Sequence, residues 1–378
     1  MTERIAKVTL LLIAAAGCDD GISPTSVAWA WAGPTRTCAT TYDRRFWCWG
    51  TGVGDGTDQA RDVPTRPSGD LKDVGFAAGT LADTCVVRTG RLLCWGPNSG
   101  GDGGILTATP AAAPTLQAVM PDLVANVGCT PLSKCVVKMD GSAWCWGFGS
   151  DGSLGDGMNA DSAVPVPVSS LSAGVLVVLA SHQGMYALKG DGTVWGWDAA
   201  IGAMVSIQRP PGGSSVPVPI VRSDGAPLMG IRQIDGGGDL TCALGFDSRV
   251  VCWGIVEPNQ PGVDYAVDLD VGDTAASIIE IAVGWGAVCR LDGAGVVQCM
   301  GTNDYGQLGN DEPAGYRPTM APVVGLPGPA VHILAGDQHF CALTEDRTLW
   351  CWGENVAGQL GVGDTDGRSH PTEVRFAE

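Results

Sequence analysis

Charged residues are scarce in this sequence: only 16% of its 378 residues are Asp, Glu, Lys or Arg. Soluble domains usually carry about a quarter, so long helices, whose solvent-facing sides are built from such residues, are not favoured. Positive charge is especially low, with 22 Lys and Arg against 40 Asp and Glu and a net charge of −18. That balance argues against a nucleic-acid partner and against an anionic membrane surface. No apolar run reaches the length of about 18 residues that a membrane-spanning helix needs.

Glycine, proline and tryptophan are abundant instead. The chain has 56 Gly, 24 Pro and 13 Trp, and Trp outnumbers the 5 Tyr and 6 Phe together. Hydrophobic residues make up 45% of the sequence, which is enough for a sizeable core. The composition predicts an all-β chain of short strands joined by tight turns.

The N-terminal segment resembles a bacterial lipoprotein signal peptide. Two basic residues precede the apolar stretch Val8–Ala16, and the segment ends in Ala-Ala-Gly-Cys18, similar to a lipobox with Ala15 where Leu is usual. The resemblance implies that residues 1–17 are removed and that Cys18 receives a lipid. Residues 18–26 then form a tether reaching at most roughly 27 Å. An ordinary secretory signal is the alternative, and both interpretations export the protein.

Internal repeats dominate the remainder of the chain. The string Cys-Trp-Gly, once Cys-Met-Gly, begins at Cys48, Cys94, Cys145, Cys252, Cys299 and Cys351. A second cysteine lies nine or ten residues earlier in each copy, at Cys38, Cys85, Cys135, Cys242, Cys289 and Cys341. A seventh copy has Tyr186 and Gly196 at these two positions. Successive copies lie 47 to 56 residues apart, so the chain contains seven units of about fifty residues.

Each pair of cysteines is predicted to lie on the two strands of a β-hairpin. A two-residue turn at Thr89-Gly90 places Cys85 directly opposite Cys94. Opposite residues are close enough for a disulfide, and an exported compartment favours disulfides. We predict six intrablade disulfides, Cys38–Cys48, Cys85–Cys94, Cys135–Cys145, Cys242–Cys252, Cys289–Cys299 and Cys341–Cys351. Cys129 is left over, either free or competing with a neighbour.

Both faces of these hairpins are apolar, because Cys341 and Leu343 share one face while Ala342 and Trp352 share the other. Small sheets buried on both faces and repeated seven times are typical of a β-propeller. We predict that residues 27–378 form a monomeric, seven-bladed β-propeller, with a linear β-solenoid as the alternative. The first copy starts late and the last continues to Val374, so the C-terminal strand is predicted to complete the first blade and close the ring.

The best copies are CMGTNDYGQLGND from Cys299 and CWGENVAGQLGVGDT from Cys351. They resemble the regulator of chromosome condensation repeat, whose pattern runs G-x-x-H-x-x-A-L, then a hairpin, then W-G-x-N-x-x-G-Q-L-G. The most specific string is N-x-x-G-Q-L-G at Asn303–Gly309 and Asn355–Gly361. The family histidine occurs only as His339, and the fourth and fifth copies lack G-Q-L-G. The resemblance implies a seven-bladed propeller, and the paired cysteines resemble the secreted bacterial members.

The function that the family implies depends on compartment. The named member is an exchange factor for a small nuclear GTPase, which an exported chain does not meet. Secreted relatives include a β-lactamase inhibitor that binds its enzyme through one propeller face. We therefore expect a non-enzymatic, membrane-anchored scaffold in the bacterial envelope that binds an unknown protein partner through its loops. The alternatives are an exported hydrolase or lyase with a site in the propeller channel, and a carbohydrate-binding or cell-wall-associated module.

Chemical motifs are weak, and we expect neither a cofactor nor a metal. The histidines are scattered, at His182, His332, His339 and His370, without metal-ligand spacing. Acidic turns such as Asp151–Asp156 and Asp364–Asp366 raise the possibility of calcium, although turn chemistry explains the same residues. Strings beginning at Asp140 and Asp191 partly resemble the Asp-box of sialidase-type propellers, but each lacks the residue between Asp and Gly.

The connecting segments differ most in the fourth and fifth copies, and such segments carry specificity on repeat scaffolds. The longest repeat step, 56 residues, contains a Pro-rich stretch, and the next copy has an equally irregular segment. These two segments are the predicted partner-binding sector, with contacts from Arg209, Pro210, Pro211, Val256 and Glu257.

Replacing Cys18 with Ser removes the thiol that the lipobox resemblance assigns to lipid attachment. Cys18→Ser is expected to abolish metabolic lipid labelling and to leave an unprocessed or soluble form. Labelling with a fatty-acid analogue, followed by membrane fractionation, measures both effects. Lipid labelling that survives the substitution would contradict the lipoprotein interpretation.

Overall fold

The computed structural model describes residues 23–69, 71–80, 83–96, 111–116, 122–130, 132–181, 184–198, 214–254, 263–272 and 277–377. These residues form seven antiparallel sheets of four strands each, arranged as the blades of a propeller, so the predicted all-β, seven-bladed fold is confirmed. Within the described residues no helix is long or apolar enough to cross a membrane.

Every blade uses its four strands in chain order. The strands of the first three blades are β1 (Val27–Gly33), β2 (Arg36–Thr41), β3 (Phe46–Gly50), β4 (Arg61–Thr65), β5 (Val74–Gly79), β6 (Thr84–Arg88), β7 (Arg91–Gly96), β8 (Ala111–Leu116), β9 (Val124–Cys129), β10 (Ser133–Lys138), β11 (Ala143–Gly147) and β12 (Ser162–Pro167). Those of the fourth and fifth blades are β13 (Val175–Ser181), β14 (Gly184–Lys189), β15 (Val194–Asp198), β16 (Ser214–Pro219), β17 (Ile231–Gly237), β18 (Leu240–Gly245), β19 (Val250–Gly254) and β20 (Val263–Asp268). Those of the last two are β21 (Ile278–Gly284), β22 (Ala287–Asp292), β23 (Val297–Thr302), β24 (Tyr316–Pro322), β25 (Ala330–Ala335), β26 (His339–Thr344), β27 (Leu349–Gly353) and β28 (Arg368–Val374).

The first strands of successive blades contact one another around the ring, and β25 contacts β1. They therefore line the central channel, and each fourth strand lies outside. We call the end that carries the turn between first and second strands, together with the loop between third and fourth strands, the upper face. The opposite end, with the hairpins between second and third strands and the blade-to-blade connections, is the lower face.

The predicted hairpin geometry is confirmed. Cys85 lies opposite Cys94, and the turn between their strands consists of Thr89 and Gly90, with φ of 48° and 78°. Positive φ at both central residues is the type I′ arrangement, which matches the twist of the flanking strands. In the ten-residue version Gly141 has φ of 80° and supplies the extra turn residue.

Both faces of each blade are buried, as the alternating pattern predicts. Cys341 and Leu343 of the seventh blade pack in one cluster with Trp49 of the first. Ala342 and Trp352, on the other face of the same sheet, pack with residues of the sixth blade. Each sheet is therefore a layer between two neighbours, and its stability depends on them.

Tryptophan and glycine form the recurring contact between blades. The Trp352 indole lies against Gly309 of the preceding blade, and its Nε1 donates a hydrogen bond to the Gln307 carbonyl oxygen at 2.9 Å. The same arrangement joins Trp197 to Gly155 and Trp95 to Gly54. Trp197 donates to the Ser153 carbonyl at 2.9 Å and Trp95 to the Gly52 carbonyl at 2.8 Å. The Trp of Cys-Trp-Gly and the last Gly of Gly-Gln-Leu-Gly are thus two halves of one contact.

The prediction that the C-terminal strand completes the first blade is wrong. β28 pairs with β27 in the seventh blade, where Val374 lies opposite Leu349, and the first blade is complete with β1–β4. The ring closes by side-chain packing instead. Phe376, just beyond β28, contacts Trp47 and Trp49 of the first blade with ring centroids 6.0 and 5.8 Å apart. The first and last blades each contain four consecutive strands, β1–β4 and β25–β28. Each blade begins with the strand that lines the channel, which precedes the cysteine-bearing hairpin in the sequence.

The outer edges of the blades are protected against pairing. Six of the seven fourth strands contain proline, which removes a ladder donor from an exposed edge. The exception is β20. There the Val221 carbonyl accepts a hydrogen bond from the Ala266 N–H at 2.9 Å, so the segment that connects the fourth and fifth blades covers this edge.

A methyl group at Gly309 should disrupt the contact between blades. Its φ is +66°, and a Cβ there would lie 2.7 Å from the Trp352 Nε1. We expect Gly309→Ala to lower the free energy of unfolding by about 2–3 kcal/mol, through left-handed strain and overpacking. Thermal or denaturant unfolding measures the loss.

The matched control is Gly328→Ala, because a Cβ at Gly328 would meet no heavy atom within 4 Å. This variant should unfold within about 0.5 kcal/mol of the parent. Equal stability of the Gly309 and Gly328 variants would contradict the importance of the Trp–Gly contact.

Candidate binding face

The six predicted cysteine pairs are disulfides with Cα atoms 4.0 to 4.1 Å apart. Each joins the second and third strands of its own blade, where the register places the two residues directly opposite. A short cross-strand loop of this kind constrains the unfolded chain by roughly 2–3 kcal/mol at most. Their role is to stabilise the blade, not to build a site.

The fourth blade replaces the disulfide with an aromatic contact. Tyr186 lies opposite Gly196, as the repeat alignment predicts, and a Cβ at Gly196 would lie 3.0 Å from the Tyr186 ring. The ring therefore covers the glycine. It also packs edge-on against Trp253 of the next blade, with centroids 5.5 Å apart. Loss of both cysteines together is explained, because the tyrosine fills the space of both.

The acidic strings that resemble an Asp-box have a structural role. Asp140 accepts hydrogen bonds from the Ser142 N–H and hydroxyl, and the Ser142 hydroxyl accepts one from the Trp144 indole at 2.9 Å. The same relay recurs at Asp191 with Thr193 and Trp195. These bonds lower the pKa of both aspartates. Such carboxylates order lower-face hairpins.

Three buried charged side chains, one in each of the first three blades, lie in a row near the upper face. The Lys134 ammonium donates to the Asp83 carboxylate at 2.8 Å, and both side chains are almost fully buried. Arg36 is also buried and donates to the Thr80 carbonyl at 3.0 Å. Burial lowers the pKa of Arg36 to about 10, opposed by the charge of Asp83. Removing one partner of a buried ion pair strongly lowers the free energy of unfolding. These buried charges therefore hold the first three blades together.

Sequence reasoning missed these residues, although a signal existed. Arg36, Asp83 and His339 occupy the same repeat position, two residues before the first cysteine. His339 is buried, and its Nε2 lies 2.9 Å from the Thr37 hydroxyl of the first blade. Burial lowers its pKa to about 3, so this histidine is neutral at physiological pH and joins the seventh blade to the first.

Cys129, the cysteine without a partner, is free and buried. Burial raises the pKa of its thiol to about 12. A protonated, inaccessible thiol is a poor nucleophile and a poor metal ligand. Among the described residues, no group of three or more His, Cys, Asp or Glu side chains is arranged to hold a metal ion.

Polar side chains of the channel strands cap the exposed edge of the next blade. The Asn126 amide oxygen accepts the Val178 N–H at 2.8 Å, and the Gln233 amide oxygen accepts the Ile281 N–H at 3.0 Å. Glu280 accepts the Ile333 N–H at 3.1 Å. Buried backbone donors need such partners, so these polar residues complete the ring.

Asp235 belongs to the same set and accepts the Val283 N–H at 2.7 Å. Part of the residue reaches solvent in the channel, yet protein surrounds its carboxyl group. Desolvation raises its pKa to about 7, against the effect of two backbone hydrogen bonds, and the charge of Glu280 adds to the rise. Asp235 therefore keeps its proton to near-neutral pH while it caps the neighbouring strand.

The two ends of the propeller differ in charge. The described acids of the upper face are Asp55, Asp58, Asp62, Asp151, Asp156, Asp161, Asp239, Asp304, Asp311, Glu312, Asp337, Glu354, Asp364 and Asp366. Its accessible arginines, Arg61, Arg317 and Arg368, each pair with one of these acids. The lower face mixes both signs, with many of its bases in ion pairs such as Arg44–Asp73 and Lys138–Asp122.

Exposed aromatic side chains concentrate on the upper face of the sixth blade. They are Trp285, Tyr305 and Tyr316, which are 44%, 45% and 40% exposed. The other exposed large aromatic among the described residues is Phe246, on a lower-face hairpin. Sequence reasoning missed this group. Trp285 could have been found, because it follows the turn glycine Gly284 at a position where the two neighbouring copies have Gly238 and Asp337.

The residues predicted to contact a partner, Arg209, Pro210, Pro211, Val256 and Glu257, lie outside the described residues, as do Cys18 and the signal segment. The strands that flank the two predicted segments are described. β15 ends and β16 begins at the upper face, and the same holds for β19 and β20. The predicted sector thus joins strands at the acidic end.

Sequence comparison identifies the repeats. Two profiles described as the regulator of chromosome condensation (RCC1) repeat match this chain, one at residues 330–359 and the other at 140–184 and 347–378. The chain carries RCC1 repeats.

Curated relatives match most of this chain in sequence. The Ultraviolet-B receptor UVR8 of Arabidopsis thaliana is 25% identical over 334 residues, covering 85% of this chain and 73% of the receptor. The E3 ubiquitin-protein ligase HERC2 of mouse is 26% identical over 329 residues. That match covers 82% of this chain but only 7% of the ligase, so this chain corresponds to a small part of that protein.

Solved structures agree on the fold. The yeast RCC1 protein Prp20, crystallised bound to Kap60, superposes with a TM-score of 0.73 at 17% identity, covering 93% of this chain and 85% of that one. Human WBSCR16 gives a TM-score of 0.74 at 20% identity, covering 88% and 94%. At these identities the likeness shows a shared fold.

Peptide mapping under non-reducing conditions should recover the six intrablade pairs, with Cys129 unpaired. Because the Cys129 thiol is buried and its pKa is raised to about 12, iodoacetamide should label it only after denaturation. Mass spectrometry of native and denatured samples measures both properties. A pair between blades, or labelling of native Cys129, would contradict the structure.

Proposed function

We propose that this RCC1-repeat protein is an exported, lipid-anchored, non-enzymatic scaffold of the bacterial envelope that binds a protein partner through its upper face. The main supporting observation is that recurring residues of the repeat hold the blades together, whereas the variable residues lie in connecting segments. Residues that recur, such as Trp352 and Gly309, make contacts between blades. The segments between third and fourth strands vary in length and sequence and join strands at the upper face. Connecting segments are where a scaffold carries its specificity.

Related propellers support a binding role. Prp20 was crystallised with Kap60, and a second structure of it concerns binding to Gsp1p and histones. Those interactions belong to Prp20, and at 17% identity no contact residue is transferred. They support the narrower inference that a ring of RCC1 repeats serves as a platform for proteins.

Export is supported by the cysteines. Disulfides in six of seven blades suit an oxidising compartment, and the lipobox-like segment supplies a route and an anchor at Cys18. The tether enters the domain at the lower face. Tyr42 N–H donates to the Ser26 carbonyl and Asp43 N–H to the Pro24 carbonyl, at 2.9 and 3.2 Å. A short tether there directs the lower face toward the membrane and the acidic upper face outward.

Removing a segment that joins upper-face strands should weaken partner capture without unfolding the ring. In the full-length protein we expect replacement of residues 209–213 with a short Gly-Ser segment to leave the melting temperature nearly unchanged. Capture of the envelope partner should fall about tenfold, as for loss of an interface hot spot. Chemical cross-linking in cells with quantitative mass spectrometry measures the captured protein.

The matched control replaces the turn Ser223–Gly225, which lies in the connection between the fourth and fifth blades at the lower face. This control should capture as the parent does. Equal capture by both variants would remove the 209–213 segment from the interface, and absence of any specific partner for the parent would contradict the proposed function.

A further inference from the structure

We propose that the upper face of the sixth blade, centred on Trp285, Tyr305 and Tyr316, docks a lysine- or arginine-rich segment of the partner protein. This inference rests on the proposed function and names the chemistry of the partner. It adds a contact region on the sixth blade to the segments of the fourth and fifth blades that the sequence predicts.

The three aromatic side chains are linked through the backbone of one blade end. The Thr302 hydroxyl donates to the Trp285 carbonyl oxygen at 3.0 Å, and Thr302 lies opposite Tyr316 in the ladder between β23 and β24. Tyr305 follows three residues later, in a loop tied down by the bond from its N–H to the Gln307 amide oxygen at 2.9 Å. The exposed rings therefore stand on ordered backbone rather than on a free loop.

Trp285 is held in place although its ring is exposed. A Cβ at Gly238 would lie 2.8 Å from the Trp285 ring, so the indole lies directly on the glycine of the preceding blade. The Trp285 backbone N–H donates a hydrogen bond of 2.6 Å to the Asp337 backbone carbonyl oxygen of the following blade. An exposed indole supported by two neighbouring blades has the rigidity of an interface anchor. Nothing in this arrangement is needed by the disulfide or by the Trp–Gly contact of the repeat.

Charge around the aromatic group selects the partner. Asp337 and Glu354 lie close enough that the Asp337 charge contributes to a raised pKa of Glu354, after burial as the main cause. Asp304 adjoins Tyr305, and Arg317, the basic residue beside Tyr316, is paired with Glu312. Aromatic faces together with carboxylates bind ammonium and guanidinium groups, by cation–π attraction and by charge-assisted hydrogen bonds.

The same charges disfavour the other occupants. An acidic peptide, a nucleic acid or an anionic membrane is negatively charged and would be repelled by the upper-face carboxylates. A second copy of the chain would have to bring its mixed-charge lower face to this end. A basic protein segment meets both the aromatic and the electrostatic conditions.

Binding of a short synthetic lysine-rich peptide to the full-length protein tests the proposal, with the same peptide acetylated on every lysine as the reference. The change in tryptophan fluorescence or calorimetry gives the affinity. We expect binding of the unmodified peptide alone. Trp285→Ala and Tyr305→Ala should each weaken it about tenfold, and Trp285→Phe should restore most of the Trp285 effect because a π-face remains.

Phe246→Ala is the matched control, because Phe246 is a comparably exposed aromatic at the opposite face. It should bind as the parent does, and the melting temperatures of all variants verify folding. Equal binding by the parent and by Trp285→Ala would mean general attraction to an acidic protein, and would overturn the proposal. Preference for the acetylated peptide, or self-association of the chain that Trp285→Ala abolishes, would overturn it as well.

Cross-linking in cells separates this inference from the proposed function. If the parent captures an envelope protein and Trp285→Ala captures it equally well, the scaffold function stands and the sixth-blade site is wrong. If Trp285→Ala and Tyr305→Ala both lose that protein while Phe246→Ala keeps it, the site is supported.

Discussion

The fit of one tryptophan against one glycine of the preceding blade is the constraint on which the rest of this structure depends. Trp352 at Gly309 shows why neither residue is free to vary: the indole needs a flat backbone to lie on, and the left-handed φ of +66° needs a residue without Cβ. Repeating this contact fixes the angle between blades, and a fixed angle determines how many blades close a ring. Disulfides stabilise six of the seven sheets, whereas the Trp–Gly contacts join neighbouring sheets to one another.

Local departures from the repeat have local physical explanations. Tyr186 over Gly196 replaces a disulfide by filling the same space, and β20 lacks the edge proline where another segment already covers the edge. Arg36 and Asp83 stand at the repeat position of His339 and replace its neutral contact with buried charges, and Asp83 pairs with Lys134 of the next blade. In each case the substitution preserves a contact between elements, so it concerns the scaffold.

Trp285 is a departure of a different kind, because its ring rests on Gly238 of the preceding blade and still leaves 44% of the residue exposed. Together with two tyrosines it occupies the acidic end of the molecule, whereas Pro24 and Ser26 are bound to the hairpin at the opposite end. An exposed tryptophan surrounded by an excess of acidic side chains is typical of a surface that binds another protein. The geometry of the whole ring, rather than any motif, brings these properties to one surface.

The amino-acid sequence by itself determined the blade count, the hairpins, the cysteine pairing and the burial of both sheet faces, because these depend on spacing within one repeat of about fifty residues. Only the tertiary structure decided that β28 stays in the seventh blade and that Thr37 meets His339 across 302 positions of sequence. It also decided which end collects the acids and which aromatic rings remain exposed. Those properties arise where separate blades meet, and no periodicity within a single copy encodes them.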